Sequence, residues 1–276
     1  MQPHELDIRL RVGQAAIRAT GETAADFFAR RTSLTVDHKG AQDLVSEADR
    51  ACEDYIVTVL SKNFPEDSFL GEEGGMRNPG GAAIWVIDPI DGTHNFLTGI
   101  PFWCISLALV VAGEAVIGLI YHPASGELFS ASKGGGAFLN GTLMQVSSET
   151  DIKRARICIG FSYRRPVANH VRTIEALLSA ECEYLRLGSG ALGLAYTAAG
   201  RFDGYWEHHT NSWDAAAGLV LVKEAGGWTN DFLAGAGLEE GNEILAATPA
   251  LVRRLSMLTG FEQHTREARL IESRGP

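Results

Sequence analysis

The N-terminal part of the chain alternates apolar and polar positions with the period of an α-helix. Apolar side chains fall on helical spacing from Leu6 to Arg30, with one glycine break at Gly21, which predicts one long helix or two collinear ones. The spacing returns from Asp49 to Leu60, and Asn63-Phe64-Pro65 then ends it. We therefore expect a second helix there, with the segment Asp43 to Asp49, DLVSEAD, leading into it.

Between Trp85 and Gln145 the pattern changes to short apolar runs separated by glycine-rich turns. The runs are rich in β-branched and aromatic residues, as in an antiparallel meander. The longest apolar stretch, Trp103 to Tyr121, is interrupted by Gly113-Glu114. It therefore predicts a hairpin and not a membrane span.

In the remainder of the chain strand-like and helix-like segments alternate. The expected strands are ARICIGF, CEYLRLG, FDGYWE and EILAATP, and the expected helices are Val167 to Ser179, Gly190 to Ala199, Asp214 to Ala225 and one at the C-terminus. Alternation of this kind implies sheets layered between helices, so the predicted fold class is α+β. No linker-like composition divides the chain. We expect residues 1–276 to form a single compact domain, with an N-terminal α+β part (about 1–150), a C-terminal α/β part (about 151–276) and any shared site in the cleft between them.

The overall charge argues against several function classes. A net charge of -10 and a pI near 5.3 oppose binding to nucleic acid, which needs a basic surface. The N-terminus lacks the basic start and apolar core of a signal peptide, and the four cysteines show no zinc-binding spacing. We expect a cytoplasmic protein with reduced thiols and with neither a nucleic-acid nor a membrane partner.

Acidic residues stand at three places where a strand or turn passes into a helix. They are Glu72-Glu73 in LGEEGG, Asp88 and Asp91 in IDPIDGT, and Asp214 in SWDAAAG. We expect side chains at such places to converge on the edge of a sheet. Mg²⁺ is usually held by a few carboxylates together with water and substrate phosphate, so this set predicts a magnesium site.

The segment IDPIDGT combines features of a metal site and a phosphate site. Asp88 is expected to end a strand, the proline to force a turn, and Asp91 to precede a short helix that starts with Gly92 and Thr93. Both carboxylates then face one point, while the amides of Gly92 and Thr93 remain free for an anion. Taken singly, Asp-Pro and Asp-Gly are common turn formers and N-caps. The whole string D-P-x-D-G-T is too rare at background residue usage for that explanation.

Five motifs, in order along the chain, resemble those of the inositol monophosphatase family of lithium-sensitive, Mg²⁺-dependent phosphatases. They are DLVSEAD (43–49), GEE (71–73), WVIDPIDGTHNF (85–96), GSGALGLAYTAAGRFDGYWE (188–207) and WDAAAG (213–218). The resemblance covers nearly the whole chain and implies a layered αβαβα sandwich, commonly found as a homodimer. It also implies hydrolysis of a small phosphorylated metabolite by a metal-activated water, with two to three Mg²⁺ ions as cofactors.

The resemblance implies three metal sites built from five residues. One Mg²⁺ would be bound by Glu72, Asp88 and the carbonyl of Ile90. A second would be bound by Asp88, Asp91 and Asp214, and a weaker third by Glu72 with water.

The same resemblance implies catalytic and substrate-binding roles. Thr93 would orient the attacking water, with Asp49 as its hydrogen-bonded partner and Glu72 as proton acceptor. The amides of Gly92 and Thr93 would bind the phosphate. The residues that would contact the organic part of the substrate are Asp91, Gly188, Ser189, Gly190, Ala191, Glu207 and Asp214.

Inositol 1-phosphate is the expected substrate, and histidinol phosphate is the alternative. The THNF after Asp-Gly resembles the TxNF of inositol phosphatases, whereas Trp103 in GIPFW resembles some histidinol-phosphate phosphatases of the family. Fructose 1,6-bisphosphate and NADP are less favoured. A different class, a non-catalytic regulatory protein on the same fold, is opposed by the presence of every implied carboxylate ligand. Lys39 resembles a lysine near the family's metal site, but the gap from it to Asp43 is one residue short.

Overall fold

The computed structural model describes all atoms of residues 1–34 and 46–261 and the backbone of residues 36–40 and 43–45. Its helices are α1 Pro3–Ala29, α2 Glu47–Asn63, α3 Thr93–Thr98, α4 Val167–Ser179, α5 Gly190–Ala198, α6 Ser212–Glu224, α7 Gly237–Glu240 and α8 Val252–Thr259. Its strands are β1 Val36–Gly40, β2 Asp43–Ser46, β3 Ser68–Gly71, β4 Gly75–Arg77, β5 Ala83–Asp91, β6 Cys104–Val111, β7 Glu114–His122, β8 Glu127–Ser132, β9 Gly136–Leu139, β10 Thr142–Leu143, β11 Arg156–Ile159, β12 Glu183–Leu185, β13 Gly204–Thr210, β14 Trp228–Thr229 and β15 Asn242–Ala247.

The larger sheet has eight strands in the order β10-β9-β8-β7-β6-β5-β3-β4. From β5 to β10 each strand pairs antiparallel with the next, so the predicted meander is confirmed. Its last segment, GAFLNGTLMQVS, forms the short hairpin β9-β10 and not one strand. Strands β3 and β4, which the sequence did not predict, extend the sheet beyond β5, with β3 parallel to β5.

Helices α1 and α2 cover one face of the larger sheet. Ile17 of α1 and Ile56 of α2 pack into one apolar cluster with Trp85 and Leu107. Helix α1 runs without a break through Gly21. That glycine lies against the Tyr121 ring, and a Cβ there would collide with the ring. The glycine thus marks close helix-to-sheet packing where the sequence suggested a break.

Helices α5 and α6 lie between the two sheets, and α4 and α8 cover the outer face of the smaller one. Leu192 of α5 and Leu219 of α6 share a cluster with Ala108 of the larger sheet and Ala246 of the smaller sheet. The smaller sheet has the order β12-β11-β13-β15-β14. On its other face, residues of α4 and α8 form a separate cluster with β11 and β15. The predicted αβαβα layering is therefore confirmed.

The four cysteines are buried and free, as expected for reduced thiols. No helix within the part of the chain that the structure describes is long and apolar enough to cross a membrane.

Candidate metal and phosphate site

A β-bulge in β5 brings two of the predicted ligands to one place. Asp88 pairs with Ser106 of β6 and Asp91 pairs with Cys104, so two residues of β5 lie opposite the single residue Ile105. Side chains three positions apart on a regular strand point to opposite faces, and the extra residue of a bulge returns them to the same side. The expectation that the strand ends at Asp88 is therefore wrong. The strand continues to Asp91, and Pro89 occupies the bulge, where a missing N–H is tolerated.

Three aspartates from two parts of the chain form an acidic cluster. One carboxylate oxygen from each of Asp88, Asp91 and Asp214 lies within 4.8 Å of the others. Burial, together with the charges of Glu72 and Asp91, raises the pKa of Asp88 well above its ordinary value. Burial and the charge of Asp214 raise the pKa of Asp91 to about 7. Buried carboxylates that repel one another in this way are stabilised by a divalent cation, so the donor set fits Mg²⁺.

Asp91 is held by the start of helix α5. Its carboxylate accepts hydrogen bonds from the Ser189 hydroxyl at 2.5 Å, the Ala191 amide at 2.7 Å and the Gly190 amide at 3.3 Å. The amides at a helix N-terminus favour an anion. Ser189 and Ala191, expected to contact substrate, are thus placed by the structure on a predicted metal ligand.

Asp214 is fixed within the first turn of α6. It accepts hydrogen bonds from the Thr210 hydroxyl at 2.8 Å and the Asn211 amide at 3.2 Å, and it completes a capping box with Asn211. The Ser106 hydroxyl donates to the Trp213 carbonyl at 2.9 Å. This bond ties the start of α6 to β6, next to the bulge.

The start of α3 provides the predicted phosphate-binding amides. Gly92 caps this helix with φ +94°, in the left-handed region, and a Cβ there would lie 3.1 Å from the Phe102 carbonyl oxygen. Only glycine suits both the dihedral angle and the space. The first amides of a helix have no partner within it, so this end is suited to an anion.

Thr93 and Asp49 are not hydrogen-bonded to each other. The Thr93 hydroxyl donates to the Ile90 carbonyl at 3.0 Å. Oδ2 of Asp49 accepts from the Ser46 amide at 2.8 Å and the Ser46 hydroxyl at 2.6 Å, while its buried Oδ1 has no partner among the described residues. Burial raises the pKa of Asp49 to about 6. Each side chain is thus bound by a residue three positions away along the chain, and the capping box of Ser46 and Asp49 is a local signal that could have shown this for Asp49.

A cavity of about 970 Å³ opens beside the acidic cluster and is lined by both parts of the chain. Its size is that of a small-molecule site. The predicted site residues in its wall are Glu72, Asp91, Gly92, Thr93, Gly188, Ser189, Gly190, Glu207 and Asp214. The other four, Asp49, Asp88, Ile90 and Ala191, are buried and do not line the cavity.

Glu207 is a buried carboxylate in the cavity wall. It accepts a hydrogen bond from the Tyr205 hydroxyl at 2.7 Å, and burial raises its pKa to about 8. Gly160 lies against it so closely that a Cβ at residue 160 would collide with the carboxylate. Tyr205 and Gly160 support Glu207, and sequence reasoning missed both.

Two arginines of the wall were also missed. Arg164 donates to the Asn211 side chain at 2.8 Å, and Arg186 lies over the Phe161 ring. Neither forms an ion pair with any described residue. The cavity therefore contains positive as well as negative charge, and no local motif would have identified these arginines.

The two residues whose roles the sequence left open are now located. Trp103 is buried, packs edge-on against Phe96 with ring centroids 4.8 Å apart and does not line the cavity. Its position gives no support to a contact with substrate. The side chain of Lys39 lies outside the described residues.

Comparison with known proteins identifies relatives over almost the full length. The model of the family described as "Inositol monophosphatase family" matches residues 6–263. An "Inositol-1-monophosphatase" of Rhizobium meliloti is 39% identical over 249 residues, covering 89% of this chain and 94% of the relative. A protein named "Nus factor SuhB" from Pseudomonas aeruginosa is 37% identical over 271 residues, covering 96% of this chain and 97% of the relative. The crystal structure of the extragenic suppressor protein SuhB of Bartonella henselae superposes with a TM-score of 0.85 at 33% identity, covering 92% and 98% of the two chains.

Proposed function

Because this chain belongs to the inositol monophosphatase family, we propose that it is a Mg²⁺-dependent phosphatase that hydrolyses a small phosphate monoester in the cavity. The observation that carries the proposal is the cluster of the buried Asp88 and Asp91 with the half-buried Asp214, with one oxygen of each within 4.8 Å of the others. In this proposal the chain acts as one domain, and its parts of about 1–150 and 151–276 both contribute to the cavity wall.

The residues that would hold the metal are those of the acidic cluster and its neighbours. Asp88, Asp91 and Asp214 would share one Mg²⁺, and Glu72, Asp88 and the carbonyl of Ile90 another, with a third, weaker ion at Glu72. Among the side chains that the structure describes, only the Thr93 hydroxyl donates to the Ile90 carbonyl, and a carbonyl oxygen has a second lone pair for a cation. Bound ions of this kind neutralise phosphate charge and lower the pKa of water.

The remaining residues would orient the reactants. The Thr93 hydroxyl donates to the Ile90 carbonyl, so its oxygen is left to accept a hydrogen bond from the attacking water. Glu72 in the cavity wall would accept the proton, and the buried Oδ1 of Asp49, which has no partner among the described residues, would be a further acceptor. The amides of Gly92 and Thr93 would hold the phosphate, and Glu207 with Gly188 and Gly190 would contact the alcohol.

Inositol 1-phosphate is the substrate we favour. Supporting observations are the relatives that bear its name and the uncharged character of its polyol. Arg164 and Arg186 would repel a cationic alcohol that lay on their side of the cavity, which disfavours histidinol phosphate. The burial of Trp103 removes the residue that suggested histidinol phosphate.

A phosphate-release assay tests the proposal. The purified protein would be given inositol 1-phosphate, histidinol phosphate, fructose 1,6-bisphosphate and NADP, each with Mg²⁺ and with excess chelator. We expect release only with Mg²⁺, and the highest kcat/KM for inositol 1-phosphate. No release from any of these substrates would sink the enzyme proposal.

A second candidate is a regulatory role on the same fold, favoured by the relatives named Nus factor SuhB. The intact ligand set favours catalysis. Calorimetric binding of Mg²⁺ without turnover of any substrate in the panel would favour the regulatory role.

We also propose that the protein forms a homodimer and is inhibited by lithium, as the resemblance implies. Helix α4 exposes Val167, Val171 and Leu178, which project from one side of the helix at 54–58% exposure. Exposed apolar side chains on one helix face are typical of an interface. Light scattering should give twice the chain mass for the native protein, and Val171→Glu should lower it.

A further inference from the structure

A buried carboxylate outside the cavity wall is hydrogen-bonded to the turn that carries Glu72. Glu53 of α2 is fully buried. Its Oε2 accepts a hydrogen bond from the Glu73 amide at 2.8 Å, and its Oε1 accepts one from the Gly74 amide at 2.8 Å. Arg77 of β4 donates to the same Oε1 at 3.0 Å. All these partners belong to one short hairpin, β3-β4.

The amides bound by Glu53 directly follow Glu72. Residues 72–74 form the turn between β3 and β4, and the Glu72 amide donates to the Ile87 carbonyl of β5 at 3.1 Å. On one side, therefore, the backbone of Glu72 is fixed by the sheet. On the other side, the Glu53 carboxylate binds the amides of the next two residues, Glu73 and Gly74, and so holds the backbone of the turn.

The glycines of the motif GEEGG fit this arrangement. A Cβ at Gly71 would collide with the carboxylate of Glu53, and a Cβ at Gly74 would collide with that carboxylate and with the Arg77 guanidinium bound to it. Both glycines thus leave room for the bound Glu53 carboxylate, although Glu53 lies far before the motif in sequence.

A buried carboxylate is costly unless it is paired and fully hydrogen-bonded. The Glu53 carboxylate meets that condition through two amides and one guanidinium, and Arg77 is itself bound by the exposed Asp54 at 2.9 Å. An apolar side chain would fill the same space without this cost. We therefore attribute the buried charge to its hydrogen bonds with the turn. This turn carries Glu72, a residue of the cavity wall.

We propose that Glu53 is a positioning residue for Glu72, which sets the Mg²⁺ affinity of the site without itself touching substrate or metal. The inference rests on the proposed function in one respect only, the assignment of Glu72 as a Mg²⁺ ligand. Hydrogen bonds that orient metal ligands typically change metal affinity by about 10- to 100-fold when removed.

The test is Glu53→Gln in the full-length protein. A glutamine has one acceptor oxygen, and its NH₂ group cannot accept from an amide, so one of the two turn amides loses its partner. We expect the Kd for Mg²⁺, measured by calorimetry without substrate, to rise by about tenfold. The amides of Glu73 and Gly74 should exchange hydrogen faster, and saturating Mg²⁺ should restore most of the rate of phosphate release. Glu72→Gln, which removes the ligand itself, should not be rescued in this way.

The matched control is Asp54→Asn, which removes the other carboxylate bound to Arg77 and leaves both amides on Glu53. Its Kd for Mg²⁺ should equal that of the native protein. If Glu53→Gln fails to fold, Gly74→Ala supplies the second test, because its methyl group would displace the Glu53 carboxylate together with the Arg77 guanidinium bound to it. A lowered Tm with an unchanged Kd in either variant overturns the inference. Failure of the proposed function is distinct, because then the native protein itself releases no phosphate.

Discussion

The two segments that supply the predicted Mg²⁺ ligands are supported in different ways. The segment Asp88 to Thr93 runs from the end of β5, where Asp88 and Asp91 pair with β6, into the first turn of α3. The turn Glu72 to Gly74 joins β3 to the edge strand β4 and rests on one side chain from α2. Backbone pairing with β6 holds the first segment, whereas the second is held by one backbone bond to β5 and by the buried carboxylate of Glu53. We therefore expect kcat/KM to fall most when a metal ligand is substituted, and less when a residue that holds a ligand in place is substituted.

The largest expected effect is that of Asp91→Asn. The asparagine oxygen can still accept from Ser189 and Ala191, so the fold is retained while one ligand charge is lost. We expect kcat/KM to fall by a factor on the order of 10³ or more. The assay is Mg²⁺-dependent phosphate release, with Asp26→Asn on the exposed face of α1 as a control of equal charge change. Near-native activity in Asp91→Asn would mean that the site is misassigned.

A smaller effect is expected from Ser189→Ala, which removes a support of the first segment. The Ser189 hydroxyl donates to Asp91 and accepts from the Leu192 amide as the N-cap of α5. Loss of such a cap costs about 1 kcal/mol, and we expect kcat/KM to fall by roughly tenfold as Asp91 loses a donor. Ser256→Ala, which removes a hydroxyl from α8, is the control for stability. Equal rates in the two variants would show that the bond to Ser189 does not position Asp91.

These two predictions depend on contacts that the sequence could only partly anticipate. The helix over Val167–Ser179 and the hairpin of β6 and β7 follow from local periodicity, and they were predicted correctly. The bulge at Asp88 to Asp91 was predicted as a turn, because Asp-Pro favours turns locally and only pairing with β6 extends the strand. Glu53 had no local signal, since its partners lie in another element.

The metal-free protein should be less stable at higher pH. The pKa of Asp91 in the folded state is raised from 3.8 to about 7, so between these values the folded chain holds a proton that the unfolded chain has lost. Stability therefore falls as pH rises through that window. The pKa of Glu207 is raised to about 8, so the loss of stability continues to higher pH.

Thermal unfolding in chelator at about pH 5, 6, 7 and 8 measures this effect. We expect Tm to decrease by about 3 °C or more across the series, and Mg²⁺ to raise Tm more at the highest pH than at the lowest. Asp91→Asn should flatten the dependence and Asp26→Asn should not. A Tm that rises with pH in chelator would contradict the repulsion between the carboxylates of Asp91 and Asp214.

The smallest effect on activity is expected from Trp103→Phe, which changes the packing beneath α3. Trp103 contacts Phe28 and Phe96, and its buried indole N–H has no partner among the described residues. The smaller ring leaves a cavity but removes an unsatisfied donor, so the net loss of stability should be within about 2 kcal/mol. Because backbone pairing and the bonds to Asp91 hold the first segment, the ratio of kcat/KM for inositol 1-phosphate and histidinol phosphate should change by less than about twofold. A larger change in that ratio would mean that the apolar core beneath α3 also positions the segment Asp88 to Thr93. The two ligand-bearing segments would then not differ in how they are supported.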